Sequence, residues 1–285
     1  LLNDLREGKI NVLLGTHAIL SEDVIQALDE GPRIGLAVID EEQRFGVTQR
    51  DILAKRTNTI FTTATPIPRS LTLVVQEAVQ VSTLTEKLPA KRPVGTVLIG
   101  MSLTDKVIER IRANIPYGSK VFWVCPTLEA SSSTSSRRSS CVYSAMERYE
   151  ELSTIFPGKV GLLHGRMDSE AKEKAIYDFQ NGDLSILVAT TVVEVGVDIP
   201  DVSICIIENA ESFGLSSLHQ IRGRIGRGTP PPEERLEQCY CVLLYDDENE
   251  NIMNKSDSNV PGRKRLQVLA DTDDGFAIAE HDMQI

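Results

Sequence analysis

Three consecutive carboxylates, Asp40, Glu41 and Glu42, close the apolar run in LAVIDEEQRFGV (36–47). Such charges repel one another, and carboxylates are rarely fully buried without a partner. Open parallel sheets bind ligands beyond the carboxyl ends of their strands. A divalent cation there gives Asp40 its partner, and Glu41 is placed to orient or deprotonate a water. Standing alone, the stretch would read as a solvated acidic turn. It does not stand alone. In TTATPIPRS (62–70), Thr63 and Thr65 offer hydroxyls at a strand end, although Pro66 and Pro68 would also make an ordinary tight turn. LVATTVVEVGVDIP (187–200) sets two hydroxyls after a strand, then Gly196 and Asp198. The glycine permits close approach of backbone to ligand and the aspartate can accept from a ribose hydroxyl; the plain alternative is a strand–loop–strand with a glycine bend. LHQIRGRIGRG (218–228) gathers three arginines and three glycines around a helix end. Guanidinium groups there can meet phosphate oxygens bidentately, or form no more than a basic patch.

The elements that must position these residues follow from the hydrophobic pattern. INVLLG (10–15), GLAVID (35–40) and TIFTTA (59–64) are apolar runs of strand length, with helical spacing between them at 21–28 and 47–54. After a polar, proline-bearing linker, LTEKLPAKRP (84–93), runs at 94–99, 120–125, 159–163, 184–189, 202–207 and 239–244 again alternate with helical segments. Such alternation predicts α/β units with parallel sheets covered by helices. The expected organisation is a first unit over 1–83, the linker 84–93 and a second unit over 94–245 with an insertion at 129–140. A flexible connection over 246–260 then leads to a pair of short helices in 261–285. The insertion contains SSSTSSRRSS (131–140), polar and of low complexity, which predicts a disordered loop.

Among 285 residues the net charge of -11 argues against a uniformly basic nucleic-acid binder, although a local basic groove remains compatible with it. Five cysteines without C-x-x-C spacing suit a reducing compartment. No apolar run is long enough for a membrane span, so no membrane partner is expected. The chain opens on Leu1 and closes on Ile285, which suggests a piece of a longer protein whose first unit lacks its beginning.

DEEQ, TATPIPRS, HGRM, VATTVVEVGVDIP and QIRGRIGRG, in this order, resemble motifs II to VI of the superfamily 2 helicases. The surrounding EKLPAKRPV, FWVCPTLEAS, GLLHGRM, IIENAESFGLSSLHQ, CVLLY and RLQVLADTDDGFAIAEHD narrow the resemblance to the RecG-type branch-migration helicases. It covers nearly the whole chain apart from the two polar insertions and PPPEERLEQ. It implies two RecA-like units, the first truncated, followed by the start of a translocation hairpin. It further implies ATP and Mg²⁺ as cofactors, branched double-stranded DNA as partner and a monomeric motor. By the same resemblance, Asp40 holds Mg²⁺ through water and Glu41 polarises the attacking water. Gln220, Arg224 and Arg227 meet the γ-phosphate, with Arg227 as arginine finger. Gly196 and Asp198 line the nucleotide, Thr63, Ala64, Thr65 and Pro66 couple hydrolysis to the DNA path, and Gly15, Thr16, His17 and Thr190 contact DNA phosphates. Arg265 matches an arginine of the translocation hairpin.

Departures from the family pattern are equally visible. Gln43 stands where RecG proteins usually carry histidine, and DEEQRFGV is the wording of the transcription-repair coupling factors. No P-loop of the form G-x-x-x-x-G-K-S/T occurs, so the β- and γ-phosphates lack their main anchor. The family's N-terminal wedge domain is absent too. Alternatives are a coupling-factor translocase, a Mg²⁺-dependent nuclease or phosphatase built on the acidic cluster, and a catalytically inactive interaction module. The expected location is the cytoplasm, at the nucleoid, in a bacterium, or a plastid or mitochondrion in a eukaryote.

Overall fold

A computed structural model describes residues 1–41, 46, 56–63, 80–84, 92–128, 144–190, 202–227, 238–247 and 261–284. The segments predicted as a helix at 47–54 and as a disordered loop at 131–140 lie outside the described residues. The chain divides into two compact units, Leu1–Pro66 and Ile67–Ile285.

In the first unit, helices α1 (Leu2–Arg6) and α2 (Glu22–Glu30) precede two parallel strands, β1 (Leu36–Ile39) and β2 (Asn58–Phe61). The strands pair in register from Leu36 opposite Asn58 to Ile39 opposite Phe61. A two-bond ion pair, Arg56 Nε to Asp29 Oδ1 and Arg56 to Asp29 Oδ2, both 2.9 Å, ties the entry of β2 to α2. The run INVLLG, expected as a strand, forms none. Val12 and Leu14 stand 83% and 93% exposed, and a strand is stable only where a neighbour takes its backbone hydrogen bonds.

The second unit is a six-stranded parallel sheet. Its strands are β3 (Val94–Gly100), β4 (Lys120–Val124), β5 (Val160–Leu163), β6 (Ile186–Ala189), β7 (Val202–Ile207) and β8 (Cys239–Tyr245), in the order β3-β8-β7-β4-β6-β5. All six apolar runs predicted for this region form strands. Helices α3 (Thr104–Asn114), α4 (Ala145–Ile155), α5 (Ser169–Asn181) and α6 (Leu215–Gly223) lie between successive strands, as parallel connections require. Alternation along each strand divides the core between two faces. On β4, Val121 and Trp123 enter one cluster with Ile108 and Leu152, while Phe122 and Val124 enter the other with Leu218 and Ile221. Cys239 and Cys241 share the second face, as their one-residue separation predicts, and Cys205 lies opposite Cys241 in the ladder. Burial pushes the Cys205 thiol well up, so it packs as an inert apolar group.

Helix α4 starts at a capping box. The Ser144 hydroxyl accepts from Glu147 N–H at 3.2 Å, and the Glu147 carboxylate accepts from Ser144 N–H at 2.9 Å. Behind it Arg148, fully buried, pairs with the equally buried Glu208 at 2.6 Å and lies 5.2 Å over the Trp123 ring, whose indole N–H donates to Glu208 at 2.9 Å. The expected pair of short helices is present as α7 (Pro261–Asp271) and α8 (Gly275–Gln284), and Leu266, Leu269 and Ile278 seat it in the α6 side of the core.

Candidate active site

At the carboxyl end of β1, Asp40 is exposed, and its Oδ1 accepts the Glu41 N–H at 3.0 Å. Thr62 follows β2 one step beyond the register, with its N–H bonded to Ile39 O at 2.8 Å, and its hydroxyl donates to the same Asp40 oxygen. Glu41 has φ of 53°, in the left-handed region that a glutamate enters only at a cost of about 1–3 kcal/mol; such strain gathers at functional sites. Asp40 and Glu41 therefore occupy the strand-end position that the sequence predicts. Thr62 is a residue sequence reading missed, and the only available signal was its place opposite Asp40. Among the described residues no group of three His, Cys, Asp or Glu side chains could cage a metal. A single exposed carboxylate fits Mg²⁺ held through water and phosphate oxygens, not an all-protein cage. The nuclease reading, which needs further converging carboxylates, finds none among the described residues.

Thr63 is exposed; Ala64, Thr65 and Pro66 lie outside the described residues. Thr16 caps the 3-10 turn His17–Leu20, its hydroxyl accepting from Ala18 N–H at 3.4 Å, and Gly15 has Ile19 so close that a Cβ would stand 2.4 Å from its Cγ2.

In the second unit the glycine-arginine stretch is split by burial. Leu215, Leu218, Ile221, Arg222 and Ile225 face inward, while Gln220 and Arg224 are half-buried and Arg227 is exposed. Gln220 lies on α6, whereas Arg224 and Arg227 follow its end, where Arg227 Nε donates to Gly223 O at 3.1 Å. Helix α6 follows β7 and runs back along the sheet, so its end reaches the amino edge. There Gly226 N–H donates to Val202 O at 3.1 Å, and Arg92 N–H donates to Gly226 O at 3.1 Å. Gly226 has φ of 72°, and a Cβ on it would stand 3.0 Å from Arg92 O. Thr190 lies at the opposite, carboxyl edge after β6; it is buried, and its N–H donates to Leu163 O at 3.3 Å. Gly196 and Asp198 lie outside the described residues. The strand-end rule that placed Asp40 thus does not place Arg224 and Arg227, because a helix carries them across the sheet.

Arg222 departs from the sequence picture of a phosphate-facing cluster. It is 5% exposed and donates to Leu269 O at 2.5 Å and Thr272 O at 3.0 Å, with Asp273 at 3.4 Å. Burial lowers its pKa and Asp273 opposes that shift. At the other end of α6, Arg265 of α7 donates to Glu211 O at 2.9 Å, in the 3-10 turn that precedes the helix. Helix α7 and the turn after it are thereby tied near both ends of α6, which carries Gln220 and leads into Arg224 and Arg227.

Comparison with known proteins agrees with this architecture. Residues 106–229 match the helicase conserved C-terminal domain. The chain is 39% identical over 285 residues to the ATP-dependent DNA helicase RecG of Thermotoga maritima, covering 98% of this chain and 33% of the relative. With RecG of Bacillus subtilis it shares 34% identity over 290 residues, covering 100% of this chain and 38% of the relative. Among solved structures it resembles RecG bound to a three-way DNA junction, at 36% identity and a TM-score of 0.66, over 99% of this chain and 33% of that one. Likeness to yeast Dbp5 bound to RNA, at 18% identity, TM-score 0.50 and 77% and 55% coverage, is of fold alone. The chain thus spans about a third of the length of these curated relatives. Over that third, its sequence and its RecA-like α/β fold match those of the RecG-type superfamily 2 helicases.

Proposed function

We propose that this chain is part of the motor of an ATP-dependent helicase that acts on branched double-stranded DNA as a monomer. The observation that carries the reading is the anchoring of α7 and the turn after it near both ends of α6, through Arg222 and Arg265. A helical pair fixed in this way moves with the arginines it flanks, which is what coupling nucleotide chemistry to DNA movement requires. In this reading the linker is 84–93 and α7 opens the translocation hairpin. ATP bound with Mg²⁺ supplies the phosphoryl group and its charge neutralisation. Asp40 holds the metal's water, and Glu41 orients the attacking water and takes its proton. Gln220, Arg224 and Arg227 stabilise the charge that develops on the γ-phosphate. Gly196 and Asp198 line the nucleotide, and Thr63, Ala64, Thr65 and Pro66 relay its state. Gly15, Thr16 and His17 present a loop and short helix start to DNA phosphates. The buried Thr190 is assigned to DNA by resemblance alone. The relatives named above are bacterial, which favours a bacterial cytoplasmic site of action over the organellar one.

The test exchanges residues 1–285 into the matching third of the Thermotoga maritima relative, so that they are joined to the remainder of an ATP-dependent DNA helicase. ATP hydrolysis stimulated by a three-way junction, with unwinding of that junction, is expected. A soluble chimera that binds the junction yet shows no junction-stimulated hydrolysis would refute the reading.

A further inference from the structure

We propose that Thr62 is a positioning residue for Asp40, setting which carboxylate oxygen is offered to a metal-bound water. The inference rests on the reading of Asp40 given above. β1 and β2 pair through Ile39 and Phe61, and the bond from Thr62 N–H to Ile39 O carries the ladder one residue past both strands. That step brings Thr62 beside Asp40, and its hydroxyl donates to Oδ1. The Glu41 N–H donates to the same oxygen at 3.0 Å, from a backbone held at φ of 53°.

Two donors on Oδ1 fix the carboxylate about its terminal bond, which otherwise turns freely, and leave Oδ2 as the outward acceptor. Thr62 thus orients a carboxylate that itself reaches the metal through water, one step further out than the partner of a direct ligand. Loss of a direct ligand's partner typically costs about 10- to 100-fold in metal affinity or activity, and about tenfold, the low end, is expected here. The contact is solvent-exposed on both sides, so it contributes little to stability. Function and folding are therefore separable at this position. Thr62 also precedes the TATPIPRS stretch to which the coupling residues belong, so resemblance gives it no role.

The direct measurement uses residues 1–285 and Mn²⁺ alone, following paramagnetic broadening of the Asp40 and Glu41 amide signals. Thr62→Val should need about tenfold more Mn²⁺ for the same broadening, Thr62→Ser should match the parent, and all three should unfold at one temperature. In the chimera, Thr62→Val should raise the Mg²⁺ concentration for half-maximal hydrolysis by a similar factor, with kcat at saturating Mg²⁺ changed less. Equal Mn²⁺ response of Thr62→Val and parent, with Asp40→Asn abolishing it, overturns the positioning role while leaving Asp40 as the metal's residue. Broadening unchanged in Asp40→Asn overturns the reading of Asp40, and the proposal with it. Equal losses in the valine and serine variants, with a lower melting temperature, would mark Thr62 as structural and overturn the proposal.

Discussion

Glu41 and Arg148 show how differently a charged residue behaves at an edge and in a core. Glu41 sits at a strained backbone position at the end of β1, and Glu41→Gln keeps its size and hydrogen bonding while removing its charge. In the chimera this variant should bind ATP normally while hydrolysis falls steeply; hydrolysis at the parental rate would exclude Glu41 as the catalytic carboxylate. If Arg227 is the charge partner of the transition state proposed above, Arg227→Ala should cost about three to five powers of ten in kcat. Arg148 works inside the core. Its removal leaves Glu208 buried and unpaired, so Arg148→Ala should destabilise the chain by about 3–5 kcal/mol in urea unfolding. Burial, outweighing Arg148 and the Trp123 N–H, raises the Glu208 pKa above its ordinary 4.5. A raised acid contributes stability that is fully present below the ordinary value and is lost as pH rises through the folded one. The stability of the parent should therefore fall relative to Glu208→Gln as pH is raised upward from 4.5. A constant difference between the two across that range would show that Glu208 does not titrate there.

At the scale of elements, α4 depends on its first turn and α6 on what grips its ends. Ser144→Ala removes one half of the capping box and should cost about 1 kcal/mol, read as a shift of the urea midpoint. No shift would mean that water caps the helix equally well. Arg265 is not the solvated helix arginine whose loss matters by no more than about half a kcal/mol, because it holds the turn before α6. In the chimera, Arg265→Ala should leave DNA-stimulated hydrolysis largely intact while junction unwinding collapses. Arg222→Ala should show the same separation together with a lower melting temperature, since it also leaves the Leu269 and Thr272 carbonyls without their donor. Equal losses of hydrolysis and unwinding in Arg265→Ala would refute a coupling role.

Taken together, residues 1–285 contain no P-loop sequence, and this governs what the stretch can do alone. The β- and γ-phosphates lose a lysine and a backbone cradle that no other stretch replaces. Purified residues 1–285 should therefore show no appreciable ATP hydrolysis with or without a three-way junction, and turnover stimulated by the junction would overturn that expectation. In the second unit the sheet keeps these residues apart, with Arg224 and Arg227 delivered to its amino edge and Thr190 left at its carboxyl edge. Gly226 is the tightest point of that delivery. Gly226→Ala meets both a positive φ and the Arg92 carbonyl, which explains why a glycine separates the two arginines.

Local pattern determined most of this architecture. Six runs rich in β-branched and other apolar residues, each bounded by turn or helix signals, became the six strands of the second sheet, and the one-residue separation of Cys239 and Cys241 sets both on one face of β8. The acidic strand end and the helical pair were legible for the same reason, since each depends on neighbours a few residues away. Only the tertiary structure decided the rest, because it turns on partners far apart in the chain. INVLLG has strand composition, yet a strand needs a second backbone beside it, and none of the described residues provides one. Three arginines in RGRIGRG look alike in sequence, and what separates Arg222 from the others is the arrival of carbonyls from α7 and the turn after it. Thr62 reads as one more hydroxyl until the β1–β2 register sets it against Asp40, a pairing that ladder geometry creates and no local pattern encodes.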